Sequence, residues 1–308
     1  MNAQSNVMHE APPESQAMAP VMISTTRRMY WSVIRELWEY RSISVAPLAV
    51  AAVFLFGFLI SLVHLPAKMR IASALTPVQQ QNMIDQPFDF AATLIMGTTF
   101  AIGLFYCLEA LHGERRDRSI LFWKSLPVSD LTTVLSKACI PLVILPLLTF
   151  VIIVSTQWLM VLLSSAVLLA SGQSAVPLWT HLSLFQMWLM LLYHLITVHS
   201  FWYAPFFGWL LLISSWARRA PFLWAAIPPL VIGIVEKVVF NTSHFAAMLG
   251  SRLYGGSEGA SSGGMSMASL TMLTPGRFLI SPGLWIGLGL TAIFLAAAAR
   301  LRRYRGPI

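Results

Sequence analysis

Few side chains in this sequence can ionise, and those inside or beside long apolar runs are the ones placed to do chemistry. Glu109 stands near the end of an apolar run that starts at Phe90, and the pair Glu236-Lys237 follows a run that starts at Pro221. Charges are costly in hydrocarbon, so such groups face a protein interior or reach water. For Glu236 and Lys237 two readings stand: they line or gate a pathway, or both extend to the nearer interface. His194 and His199, with Tyr193, Trp202 and Tyr203 close in sequence, offer acid–base chemistry within a fourth apolar run. Side chains five apart share an α-helical face less well than those three or four apart. No carboxylate accompanies the histidines and no HExxH occurs, so polar packing between helices is expected there and a metal is not.

Other motif matches lose their meaning in context. Gly255-Gly256-Ser257-Glu258-Gly259 satisfies GxSxG, but a nucleophile elbow needs a strand before it and a helix after it, and this one lies in a Gly/Ser tract. Gly287-Leu288-Gly289 mimics part of a dinucleotide fingerprint within an apolar run, where no βαβ unit fits. Gly283 and Gly287 form GxxxG instead, which permits close helix packing. A P-loop needs Gly-Lys, and Lys68, Lys124, Lys137 and Lys237 follow Ala, Trp, Ser and Glu. The chain is therefore not expected to hydrolyse ATP by that route, to be an enzyme, or to bind a cofactor or metal of its own. Cys107 and Cys139 read as small buried apolar residues.

These residues must be positioned by membrane helices. The run over 138–170, ACIPLVILPLLTFVIIVSTQWLMVLLSSAVLLA, has no charged residue and exceeds the roughly 20 apolar residues needed to cross a bilayer. The chain is 57% hydrophobic and 10% charged, whereas soluble domains carry about 25% charged residues. Its mean hydropathy is +0.71. The pattern predicts an all-α integral membrane protein with six transmembrane helices, over 44–63, 90–108, 138–170, 185–214, 221–235 and 282–299. Pro141, Pro146 and Pro205 mark expected kinks, and Pro228-Pro229 an interruption of the short fifth helix.

Basic residues set the direction. With both termini cytoplasmic, 15 Lys and Arg residues fall inside and 5 outside, which is the bias that orients membrane proteins. The net charge of +8, spread through short loops in this way, suits a lipid bilayer and not nucleic acid. Residues 1–26 are polar and proline-dotted, and read as a disordered cytoplasmic tail without a cleavable signal. The first span would then direct insertion, with 27–308 forming the membrane domain. Before that span, RMYWSVIRELWEYRS places Tyr30, Ile34, Leu37, Trp38 and Arg41 on one helical face and Arg28, Ser32, Arg35, Glu36 and Glu39 on another. This suits an amphipathic helix in the cytoplasmic interface; the alternative is a plain extension of the first span. Outer loops are expected over 65–89 and 241–281, the second flexible because of YGGSEGASSGGMSMAS.

The cytoplasmic loop over 112–130 is the most specific stretch. Glu114, Arg115, Arg116, Asp117 and Arg118 cluster there, followed by Ser119, an apolar patch containing Phe122 and Trp123, and the break Leu126-Pro127. Ser129 or Asp130 is placed to cap a helix leading into the third span. Charge followed by an aromatic knob is what a docking element needs, since the first orients and the second adheres in a groove. A loop resting on lipid headgroups has the same composition.

The segment resembles the cytoplasmic loop of permease subunits of type-2 ATP-binding-cassette (ABC) transporters. Those commonly carry a glutamate, a polar spacer, a small hydroxyl residue, a leucine-proline pair and a lysine before the third span. Here Glu114, Ser119, Leu126-Pro127 and Lys137 fit. Arg118 departs, standing where many members have glycine, which puts the geometry of the turn in question. The six-span layout, the helix before the first span and Arg218-Arg219 after the fourth also correspond. The resemblance implies an ATP-driven exporter of a bacterial cytoplasmic (inner) membrane, in which this chain pairs with a second copy or a sister permease. A separate cytoplasmic ATPase subunit would bind ATP and Mg and push on the loop as a coupling helix. The alternatives are a secondary transporter, although no inverted repeat relates the two halves, and a membrane-embedded enzyme using Glu236, His194 or His199.

Overall fold

A computed structural model describes residues 25–72, 75–125, 128–182, 184–253 and 275–306, and every regular element among them is helical. Helix α1 (Thr25–Glu39) precedes α2 (Ser42–Ser61), which continues through a 3-10 turn into α3 (Leu65–Ala72). The long α4 (Pro77–Ala110) is followed by the short α5 (His112–Arg116) and α6 (Ser119–Ser125). Helix α7 (Asp130–Cys139) passes through a π-turn at Ile140–Ile144 into α8 (Leu145–Ala170). After α9 (Val176–His181) come α10 (Leu184–His194), a second π-turn at Leu195–Trp202 and α11 (Ala204–Trp216). Helix α12 (Pro221–Val235) widens into a third π-turn at Glu236–Phe240, before α13 (His244–Leu253), α14 (Pro275–Ile280) and α15 (Pro282–Tyr304). Among the described residues, six helical runs are long and apolar enough to cross a membrane: Ser42–Ile71, Pro77–Arg116, Asp130–Ala170, Leu184–Trp202, Pro221–Phe240 and Pro282–Tyr304.

Most of these runs extend past the stretches that hydropathy marks. Residues 65–72 and 77–89, expected within a polar loop, are helical. The reason is local: Thr76 and Gln79 form a capping box and Pro77 opens α4, so the helix starts well before its apolar part. The prolines divide: Pro205 stands at a break, whereas Pro228 and Pro229 do not. Pro205 restarts a helix broken at Tyr203, so 185–214 is not one continuous rod. Pro228 and Pro229 lie inside an unbroken α12, which has no buried residue. The loop expected over 241–281 contains α13 and α14. Its Gly/Ser tract, with the GxSxG match, lies outside the described residues, as do Leu126-Pro127 and residues 1–24 of the expected tail; α1 already begins at Thr25.

Packing brings the first and last helices to one end of the bundle. There Ile43, Tyr106, Val134, Ala138, Leu211 and Ala298 form a common apolar cluster beneath α1 and the end of α15. Helices α11 and α15 approach closely at Gly208, where a Cβ would lie 3.4 Å from Thr291 Cα. Within the chain, side chains of Arg252 and Trp202 lie nearest Gly283 and Gly287. The Arg252 guanidinium of α13 lies over Gly287, where a Cβ would come within 2.6 Å of Nη1. That guanidinium donates to the carbonyls of Gly283 and Trp202 and stacks 4.3 Å from the Trp202 ring centre. Small residues here make room for a cation that satisfies carbonyls.

Candidate functional site

Lys137 lies in α7 just before the longest uncharged run, and its side chain is 0% exposed. Its ammonium donates to both Glu36 carboxylate oxygens of α1 at 2.9 Å and pairs with Glu114 Oε1 of α5 at 3.1 Å. Glu114 Oε2 accepts from Arg302 Nη2 of α15 at 2.9 Å, and Arg302 lies 3.7 Å from Asp130. Arg35 donates to Glu36 and sits 3.7 Å from Glu114, while Tyr106 of α4 donates to Glu36 Oε2 at 3.0 Å. Three cations thus meet three carboxylates. Buried charges are tolerated when they are paired and further hydrogen-bonded, and this set balances. Burial alone would push the Glu36 carboxyl up, but Lys137 and Arg35 outweigh it and hold the group below the usual carboxylate value.

The short helix α5 is strapped in place by the end of α11. Ser214 Oγ accepts from the backbone N–H groups of Leu111 and His112 at 3.0 and 2.9 Å, satisfying donors at the bend after α4. Arg115 donates to the carbonyls of Ser215, Ala217 and Gly306 at 2.8, 3.2 and 3.3 Å. A cation at the last turn of α11 meets carbonyls that have no helical partner. On the outer side, Arg116 pairs with Glu109 at 2.8 Å and Asp117 at 3.1 Å, both partly open to solvent. Arg118 adopts a φ of 57°, in the left-handed region that glycine enters most readily. Ser119 Oγ donates to the Glu114 carbonyl at 3.4 Å. Ile120 is buried, Trp123 covers Arg35 with the guanidinium 3.9 Å from its ring centre, and Leu121 and Phe122 are 58% and 60% exposed.

The expected docking charges therefore divide into two sets. Glu114 and Arg115, read as orienting charges for a partner, turn inward at 3% and 4% exposure, while Arg116, Asp117 and Arg118 face out. Glu36 was assigned to the polar face of α1, yet it is fully buried, whereas Tyr30, Trp31 and Trp38 are exposed. The available signal was Lys137 itself: an ammonium at the head of an uncharged run demands a carboxylate. Arg302, counted simply as one of the basic residues near the C-terminus, belongs to the same cluster. Ser129 caps α7, its Oγ accepting from Thr132 N at 3.1 Å, and Asp130 faces Arg302 instead.

Glu236 is occupied locally. It accepts from Thr242 Oγ1 at 2.9 Å, His244 N at 2.7 Å and Phe245 N at 2.8 Å, which caps the start of α13, while Lys237 is exposed. His194 and His199 lie closer than an α-helical count suggests, with ring centres 6.1 Å apart. The π-turn at Leu195–Trp202 has a wider repeat that brings residues five apart toward one face.

No protein-family model matches this chain, and neither a curated protein nor a solved structure matches it. The class that its own residues define is a helical protein with six candidate membrane-spanning segments, compatible with a multi-pass membrane protein. Among the described residues, the network around Glu114 and Lys137 is a buried set of charges that links four of its helices.

Proposed function

We propose that this chain is a permease subunit of a type-2 ABC transporter, forming the pathway of an ATP-driven exporter with a second permease copy or a sister permease. A separate cytoplasmic ATPase subunit supplies the energy. The observation that carries this reading is Glu114, which joins the α5–α6 loop by direct ion pairs to Lys137 of α7 and Arg302 of α15. Lys137 extends the connection to Glu36 of α1. Force applied to the exposed Leu121-Phe122 knob is thereby delivered to three helices through short, dehydrated contacts. A loop tethered only by its own chain would yield before those helices moved. The backbone at Arg118 is compatible with the resemblance, because its left-handed φ is one that glycine, common at this position in the related loops, adopts readily. With Tyr30, Trp31 and Trp38 outward, α1 suits the cytoplasmic membrane interface, and the arginine bias sets both termini inside.

The test is affinity purification of the tagged chain from its native locus, gently solubilised, with the co-purifying proteins identified. A P-loop ATPase is expected, and Phe122→Asp should abolish its recovery while leaving the buried network and the elution profile of the chain unchanged. Repeated preparations that yield the chain alone, stable and without any ATPase, would refute the assignment.

A further inference from the structure

The histidine pair is not used by the charge network. His199 is 7% exposed, neither of its ring nitrogens has a hydrogen-bond partner, and His194 Nδ1 is buried and unpartnered too. The surrounding groups explain why nothing satisfies them. Phe100 and Tyr203 meet the His199 ring edge-on, with centres 5.9 and 5.5 Å away, and they contact each other at 4.9 Å. A neutral imidazole carries one donor and one acceptor, and buried polar groups ordinarily find partners. Three such nitrogens beside one π-turn form a cluster of unspent ligand atoms. Single-turn π-segments inside helices frequently occur at functional sites.

We propose that His194 and His199 form a two-imidazole site for a soft monovalent metal cation of the copper(I) class. Metal–nitrogen bonds of about 2 Å, added to about 1.2 Å from each nitrogen to its ring centre, separate two imidazoles on one ion by about 5 to 6.4 Å, from tetrahedral to linear. The 6.1 Å between the ring centres falls within that range. Among the described residues no group of three or more His, Cys, Asp or Glu converges, so a tetrahedral zinc set is not assembled here. A divalent ion would also bring two charges to a place without a carboxylate. A monovalent ion needs fewer ligands, and copper is suited to imidazole nitrogen. This inference stands apart from the permease assignment, since it requires neither an ATPase nor a second chain.

The test is anaerobic titration of the full chain, purified in detergent with whatever co-purifies, using copper(I) against a chromophoric copper(I) chelator. Cys139→Ser is included in every sample to remove the more accessible thiol. One tight equivalent is expected, with X-ray absorption showing two nitrogen ligands at short distance. His199→Phe, which keeps aromatic packing against Phe100 and Tyr203, and separately His194→Gln should each weaken that equivalent at least tenfold without altering the elution profile. Copper(I) uptake within twofold of the parent in the double variant overturns the proposal, as does preferential binding of zinc at this pair.

Discussion

Lys137→Met is the most discriminating perturbation of the buried network. The lysine makes three contacts of 2.9, 2.9 and 3.1 Å to two carboxylates, with no exposure to water. At an effective dielectric constant of about 20, each ion pair at such range is worth about 5 to 6 kcal/mol before the cost of dehydrating the ammonium. Its removal leaves Glu36 and Glu114 buried without their shared ammonium, with Arg35 still beside both and Arg302 beside Glu114. Breaking a buried pair from one side typically costs about 3 to 5 kcal/mol, and that is the loss expected here. Glu36→Gln combined with Lys137→Met removes one of the stranded charges, so the double variant should recover about 2 kcal/mol relative to additivity. The assay is reversible unfolding in mixed micelles followed by tryptophan fluorescence, completed as a double-mutant cycle. A single-variant loss below about 1 kcal/mol, the range of an exposed pair, would refute the reasoning, and so would a coupling near zero.

Three further outcomes are expected. Because the folded-state pKa of Glu36 is depressed, its stabilisation is present above the unfolded value of about 4.3 and lost as pH falls through the folded value. Acid unfolding of the parent should therefore steepen below about pH 4, and Glu36→Gln should flatten that limb in the same fluorescence assay. Glu236→Ala should loosen the start of α13, seen as faster hydrogen exchange at His244 and Phe245; unchanged protection there would leave the carboxylate free for another task. Arg118→Gly should be neutral or stabilising by up to about 1 kcal/mol, while the β-branched Arg118→Val should cost about 1 to 2 kcal/mol, with equal effects in thermal unfolding counting against the left-handed turn.

What the sequence determined by itself is what depends on neighbours along the chain. An apolar run long enough for a bilayer is visible in composition alone, and six such runs recur in the fold as helices of sufficient length. The Ser129 cap was legible for the same reason, because donor and acceptor lie within one turn. Thr76 and Gln79 were equally local, but hydropathy does not register a cap, so the start of α4 was placed too late. Tertiary structure alone decided the rest. Glu36 meets Lys137 across 101 residues and Glu114 meets Arg302 across 188, pairings created by the stacking of α1, α5, α7 and α15. Sequence shows an amphipathic α1 but not which face turns inward, since Lys137 determines the burial of Glu36. The histidines follow the same logic: a wider turn changes which residues share a face, and only the folded backbone reveals it. Burial of a charge is settled by its distant partner, whereas the length of an apolar helix is settled by its own residues.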